Sequence, residues 1–369
     1  MNAFLKAIAI LLLTVNIQFL NAQCANYSEN SDPKLLNELF AYGETQDLFK
    51  LKNTFTQNKS KLSKAHAFYF QAEIENAFNN PSESNSSINK ALELTPTLND
   101  SLIKNLYMLK VLNHINLYEY AKAAETGNVL LNNYSLLLDS STIADLENTN
   151  KIWEALKRVE KQEVVREKDY TLPMPRDIAG LFNISTMFPD TGIDFVFDTG
   201  ANFSVIRRSL VKELGLTLIK SDFLVTAATG TKVKSDLAVA QSFSIGGMVI
   251  KNAVFLVFED EDLSFSGYDI YGIIGYPVIE ALKEIHLKDG EIFIPKEITP
   301  YTYNNFALDG MTPILSAIHN GDSLLFHFDT GAGATSLYPK YFKDYQTEIE
   351  SKYEKETFSA GSAGGTVSF

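Results

Sequence analysis

The sequence predicts a multidomain protein of α plus all-β class, with a helical, repeat-like N-terminal region followed by a pair of β lobes. Three observations predict it. From Asp32 to about Lys168 glycine is almost absent and apolar residues recur every three or four positions, the period of helices packed on one face. From Asp177 onward, short alternating apolar runs are broken by Gly, Asp and Asn, which is strand-and-turn chemistry. Within that second part Phe197, Asp198, Thr199, Gly200 and Ala201 return in the same order as Phe328, Asp329, Thr330, Gly331 and Ala332, so the β region holds two copies of one unit.

The expected boundaries are residues 1–22, 23–168 (helical), 169–176 (linker), 177–300 (first β lobe) and 301–369 (second β lobe). At the N-terminus Lys6, the apolar run from Ala7 to about Val15, and Asn21 and Ala22 before Gln23 have the layout of a secretory signal peptide cut after Ala22. The run is short for a bilayer span, and no other stretch is long enough, so no membrane span is expected after signal removal. Cys24 is the one cysteine, which excludes an intrachain disulfide and a cysteine-based zinc site. Gln23 is bulkier than the small residue that precedes a lipid-modified cysteine, which disfavours an anchor there. A net charge of −13 with no Lys/Arg-rich run argues against a nucleic-acid partner.

In the helical region Phe68, Ala72, Ser84, Ile88, Ala91 and Pro96 fall at spacings that resemble a tetratricopeptide-type hairpin, and Leu109, Leu112 and Ala121 suggest a weaker second unit. A plain helical bundle fits the same pattern. Such an array offers a surface for a protein partner. A last, charge-rich helix is expected around Ile152 to Lys168, with Trp153 packed on the preceding array. The prolines between Tyr170 and Pro175 mark the linker. Strands are expected at Phe182–Met187, Ile193–Phe197, Phe223–Ala227, Leu237–Ile245 and Val254–Phe258, with Phe203–Leu214 starting as strand and ending as helix. A short helix at Glu280–Leu282 and a hairpin of Glu284–Leu287 with Glu291–Ile294 close the first lobe. The second begins with strands through Pro313–Ile318 and Ser323–Phe328.

The pentads carry the chemistry. The echo extends to Phe195 and Phe326 before them, to hydroxyls at Ser204 and Thr335, and to apolar Ile206 and Leu337. An isolated Asp-Thr-Gly triplet arises by accident with odds on the order of 5 percent in a chain of this length. Asp190, Thr191 and Gly192 are such an accident, set after Pro189 in a turn. In the pentads, glycine lets the backbone approach the carboxylate, and the threonine hydroxyl can bridge to an opposing loop. Two facing loops would bring Asp198 and Asp329 together, and like charges that close share one proton. The result is an aspartic dyad: an ionised base beside a neutral acid, able to activate water and polarise a peptide carbonyl without metal or cofactor.

From about Ile178 to Phe369 the sequence resembles the retropepsin-like aspartic proteases, specifically a bacterial bilobal kind with both Asp-Thr-Gly-Ala loops on one chain. The resemblance implies a pair of acid-protease β barrels, a polypeptide substrate, and Asp198 and Asp329 as the catalytic pair. Thr199, Gly200, Ala201, Thr330, Gly331 and Ala332 would shape the loops. Gly272, Ile273, Ile274 and Gly275 resemble the segment that threads behind the catalytic loop and supports it. The resemblance also implies a flap around Ala228, Thr229 and Gly230, and a second one around Ala363 and Gly364, between Ser359 and Thr366. Gly275 follows Asp198 by 77 positions (198 to 275), so the counterpart after Asp329 falls near position 406, beyond Phe369. The second lobe is therefore expected to be incomplete as written, the sequence reading as a fragment.

The expected function is an exported endopeptidase, periplasmic or secreted. The alternative is a non-catalytic exported binding or adaptor protein, using the helical array with a protease-like scaffold, in which each Asp merely caps turn amides. Other chemistries lack their residues: the five histidines show no metal-ligand spacing, and no Gly-x-Ser-x-Gly elbow or phosphate-binding glycine loop is present. His327 reads as a strand residue turned away from the site. Asn202 and Ser204 form a glycosylation sequon inside the catalytic loop, which favours a bacterial source. Ala201 and Ala332 cannot donate to the carboxylates, so a mildly acidic to near-neutral optimum is expected.

Overall fold

The computed structural model describes residues 31–95, 98–226, 232–265, 267–300, 304–319, 321–336, 339–354, 359–362 and 365–368. The expected signal peptide, Cys24 and Pro96 lie outside them.

The chain begins with α1 (Pro33–Glu44), α2 (Leu48–Asn58), α3 (Lys64–Ala77), α4 (Pro81–Leu92), α5 (Asp100–Asn116), α6 (Tyr120–Asn133) and α7 (Ser140–Leu156). Side-chain caps fix several starts: Asp32 accepts from Lys34 N, Asn99 from Leu102 N and Asp139 from Thr142 N, each satisfying an amide that has no partner in the first turn. Small residues set the close approach of α3 and α4, where Ser84 Oγ donates to the Ala72 carbonyl at 2.7 Å. Asn113 of α5 donates to Ser84 Oγ and accepts from Asn76, so a buried polar link ties three helices. The N-terminal region is helical.

The last helix lies earlier in the chain than its charge pattern suggests. It ends at Leu156, and the following residues enter the β region as β1 (Glu163–Val165) and β2 (Tyr170–Pro173). Neither was legible: β1 is too short to show alternation, and Pro173 marks β2 as a linker although it sits on an edge strand, where its missing N–H disturbs no ladder.

The first lobe continues with β3 (Asn183–Met187), β4 (Gly192–Phe197), β5 (Ser204–Arg207), α8 (Arg208–Glu213), β6 (Thr217–Thr226), β7 (Lys232–Ile245) and β8 (Met248–Phe258). After them come β9 (Ser264–Phe265), β10 (Tyr268–Asp269), β11 (Gly272–Ile274), α9 (Tyr276–Ala281), β12 (His286–Lys288) and β13 (Glu291–Ile294). The main sheet runs β1-β8-β5-β11-β4-β3-β7-β6, and an additional β7–β8 pairing closes it into a barrel. Closure pairs the long strands β7 and β8 with each other and leaves β1 and β6 at the margins.

The central strands are buried on both faces, which explains their nearly continuous apolar runs. Phe195, Phe197, Ile206, Phe255 and Ile274 pack with Phe188 and Phe243 in one core. Val196, Val205, Leu256 and Ile273 face the other way, into a core completed by Ile115, Tyr120, Ile152, Trp153 and Leu156 of the helical region. The helices are thus a second layer over one face of the barrel.

The second lobe consists of β14 (Phe306–Asp309), β15 (Thr312–His319) and β16 (Asp322–His327) in an antiparallel meander, then α10 (Pro339–Asp344), α11 (Gln346–Lys352) and a hairpin of β17 (Ser359–Ser362) with β18 (Gly365–Ser368). Among the described residues its sheet is open, with no closed barrel around the second pentad.

Candidate active site

Asp198 follows the last residue of β4, and its loop is locked from behind by β11. Ile273 and Ile274 pair parallel with Val196 and Phe197, while Gly272 and Ile273 pair antiparallel with Ile206 and Val205 of β5. A strand threaded between the two arms of the loop holds both. The Ile274 carbonyl accepts from Asp198 N at 3.0 Å, Tyr276 N donates to the Ala201 carbonyl at 2.7 Å, and Gly275 N donates to Ser204 Oγ at 3.1 Å. The hydroxyl that repeats after each pentad thus has a structural use in the first copy; Thr335, its counterpart, is exposed. Two glycines are demanded by close approach. A methyl group at Gly272 would lie 2.7 Å from the Phe195 ring, and one at Gly275 would run into the Phe203 carbonyl.

The structure brings the two pentads face to face. Thr199 Oγ1 donates to the Phe328 carbonyl at 2.6 Å and accepts from Thr330 N at 3.0 Å. Reciprocally, Thr330 Oγ1 donates to the Phe197 carbonyl at 2.9 Å and accepts from Thr199 N at 3.0 Å. Four hydrogen bonds related by an approximate twofold therefore cross between loops 131 residues apart in sequence. Gly200 permits the approach: a methyl group there would stand 2.6 Å from Asp329 Cγ.

Within each loop the carboxylate is pinned by backbone amides. Asp198 Oδ1 accepts from Gly200 N at 2.8 Å and Ala201 N at 3.2 Å, and Asp329 Oδ1 accepts from Gly331 N at 2.9 Å. No donor reaches the buried Oδ2 of Asp198 among the described residues. Ionised carboxylates only accept, so a proton between the two carboxyls is what would satisfy that atom. Burial raises the Asp198 pKa well above the usual carboxylate range, and the neighbouring Asp329 charge raises it further. Burial also raises Asp329, while the Gly331 amide and the neighbouring Asp198 carboxyl pull the other way. The pair therefore holds a proton at pH values where an isolated carboxyl would have lost it.

The two acids are unequal in setting. Asp198 is fully buried, as are Phe197 and Ala201; Asp329, Phe328 and Ala332 are half-buried. Among the described residues no strand threads behind the second loop as β11 does behind the first. His327 ends β16, exposed, and its positive form favours ionised Asp329, an influence that its strand position alone did not suggest. Asn202 is buried, with Thr312 Oγ1 of the second lobe 3.5 Å from its Oδ1, so the sequon side chain is part of the packing. The expected flap residues Ala228, Thr229 and Gly230, and Ala363 and Gly364, lie outside the described residues. Among the described residues no group of three or more His, Cys, Asp and Glu is placed to hold a metal ion, and no helix is long and apolar enough to cross a membrane.

Sequence reasoning missed the bracing from the helical layer. Trp153 stacks on Phe203 of the first loop with ring centroids 5.9 Å apart, and Tyr120 stacks on Trp153. Tyr118 Oη and Gln162 Nε2 both donate to the Pro277 carbonyl, two residues beyond Gly275. On the far side, Asn148 of α7 donates to the Leu224 carbonyl and accepts from Leu224 N, each at 2.8 Å, and so stands in for a neighbouring strand at the edge of β6. Polar residues on a helix or in the segments that join helices carry no sequence mark of such roles.

Comparison with known proteins agrees with the first lobe. Residues 184–278, about a quarter of the chain, match the family described as Aspartyl protease. Among solved structures, a retropepsin-like aspartic protease from Rickettsia conorii matches at 20% identity over 37% of this chain and 94% of its own, with a TM-score of 0.25. No curated protein matches. The matched segment runs from β3 into α9 and contains Asp198 and the β11 support, so a protease-like scaffold surrounds the first carboxylate.

Proposed function

We propose that the protein is an exported aspartic endopeptidase in which Asp198 and Asp329 together hydrolyse peptide bonds. The observation that carries this reading is the reciprocal Thr199–Thr330 bonding, which faces one buried carboxyl with the other and makes a shared proton the satisfied state. A turn carboxylate that only caps amides needs no such partner.

The proposed chemistry follows from the asymmetry of the pair. Asp329, the more exposed acid, is ionised and takes a proton from a water molecule held between the carboxyls. Asp198 keeps its proton and donates a hydrogen bond to the carbonyl oxygen of the scissile amide. The water oxygen adds to the carbonyl carbon, and proton transfer to the nitrogen releases the amine. The amides of Gly200, Ala201 and Gly331 hold the carboxyls in place, so little reorganisation is needed during reaction. Export rests on the N-terminal pattern through Ala22.

Incubation of the protein with an unfolded protein substrate, with and without a statine-type transition-state analogue, tests the reading. Cleavage is expected and should be suppressed by the analogue, which mimics the tetrahedral adduct. A preparation that folds but neither cleaves nor binds the analogue would favour the adaptor reading.

A further inference from the structure

A cavity of about 130 Å³ lies where the helical layer, the Asp198 loop and the β14–β15 turn meet. Its walls are mainly apolar, with Leu51, Leu109, Ile115, Ile152, Trp153 and Phe203 among the residues that line it. Two carboxyls border it, Glu73 from α3 and Asp309 from the end of β14. No Lys, Arg or His is among the described residues of its lining. Asp309 accepts from Gln46 Nε2 at 2.6 Å, and His327 acts on it from β16. Tyr69 lies near Glu73 and favours its ionised form.

We propose that this cavity is a binding site for a small organic cation, with an apolar body seated against the aromatic and aliphatic wall and an ammonium head between Glu73 and Asp309. The volume suits a body of about six heavy atoms, close to the size of cavity that holds a benzene ring, and is too small for a chain segment. Each carboxyl retains acceptor capacity, and an ammonium group brings three donors. Burial pushes Glu73 up to about 7, so near neutral pH it is poorly satisfied as an anion; a bound cation draws it into the charged form. The site does not rest on peptide hydrolysis. It touches the loop of Asp198 through Phe203, which stacks on Trp153 at the cavity wall.

The chain carries its own reporter, since Trp153 is the one tryptophan in the sequence. The experiment titrates the purified protein at pH 8 with benzylamine, and separately with benzyl alcohol, and follows tryptophan fluorescence. A saturable change with the amine is expected, with the alcohol weaker by about tenfold or more, as a charge-assisted bond in a desolvated site requires. Glu73→Gln should weaken the amine about tenfold and leave the alcohol unchanged. Should that variant fail to fold, Asp309→Asn carries the same test. Equal binding of amine and alcohol, no saturable change with the amine, or amine affinity unaffected by the carboxyl variant overturns the proposal. None of these readouts depends on proteolysis, so failure here and failure of the protease reading are separable.

Discussion

Asp198 and Asp329 differ in burial, and that difference sets the expected pH dependence. The active form in the proposed mechanism holds one proton on the pair. Both pKa values lie above the ordinary 3.8, so the rate rises as pH climbs through the first ionisation, assigned to Asp329, and falls only when Asp198 also loses its proton. An optimum in the mildly acidic to near-neutral range is expected; a pH–rate profile peaking below about pH 3 would contradict it. The same shifts bear on stability. A carboxyl whose folded pKa is raised contributes stability below its unfolded pKa and loses it as pH rises through the folded value. Asp198→Asn should therefore melt a few degrees above the parent at pH 8, the gap closing at pH 4. The threonines are the other residue-scale device. Thr199→Val keeps the shape but removes two of the four crossing bonds, leaving Thr330 N and the Phe328 carbonyl without their partner. A loss of about 2 kcal/mol is expected from chemical denaturation, together with a large fall in activity.

At the scale of elements, β11 decides whether the Asp198 loop is rigid. Gly275→Ala places a methyl group against the Phe203 carbonyl, and because the obstacle is backbone, the strand or the loop must shift. A cost of about 1–3 kcal/mol is expected, with activity lost before the fold; a variant with unchanged melting and turnover would show that the support is dispensable. This element was legible only through the resemblance of Gly272, Ile273, Ile274 and Gly275 to a segment that threads behind an aspartyl loop. The strands β4, β7 and β8 were legible because their side chains fill two cores at once and leave apolar runs in the sequence, and β3 because its residues alternate between buried and exposed. The segments that misled are those whose structure comes from distant partners. Glu163–Val165 is strand because β8 offers its Val249–Lys251 edge, and Tyr170–Pro173 because β13 does. The pairing of the pentads was readable from their repetition, whereas the Trp153–Phe203 stack and the Asn148 clamp were not, since neither a lone tryptophan nor a helix-borne asparagine names its partner.

At the scale of the whole molecule, the helical layer and the first barrel share a core. Ile152, Trp153 and Leu156 pack with Val196, Val205 and Ile273, the residues that alternate with the inner face of the strands around Asp198. Separate unfolding would expose that surface on both sides, so α5–α7 and the barrel should melt in one calorimetric transition. Trp153→Ala should lower that transition by several degrees, since truncating a buried tryptophan costs about 3–5 kcal/mol; two resolved transitions in the parent would contradict the shared core. The layer also explains why a helical region accompanies a protease-like scaffold: it covers one barrel face and braces the loop of one acid, while the second lobe supplies the other. The claim on which all of this converges is that the two acids act as one unit. Its most direct test is the rate of peptide cleavage by Asp198→Asn and Asp329→Asn, each measured beside the parent at pH 5–6 with folding checked by circular dichroism. Each single variant is expected to lose at least about a thousandfold in rate; wild-type cleavage by either one would contradict the account.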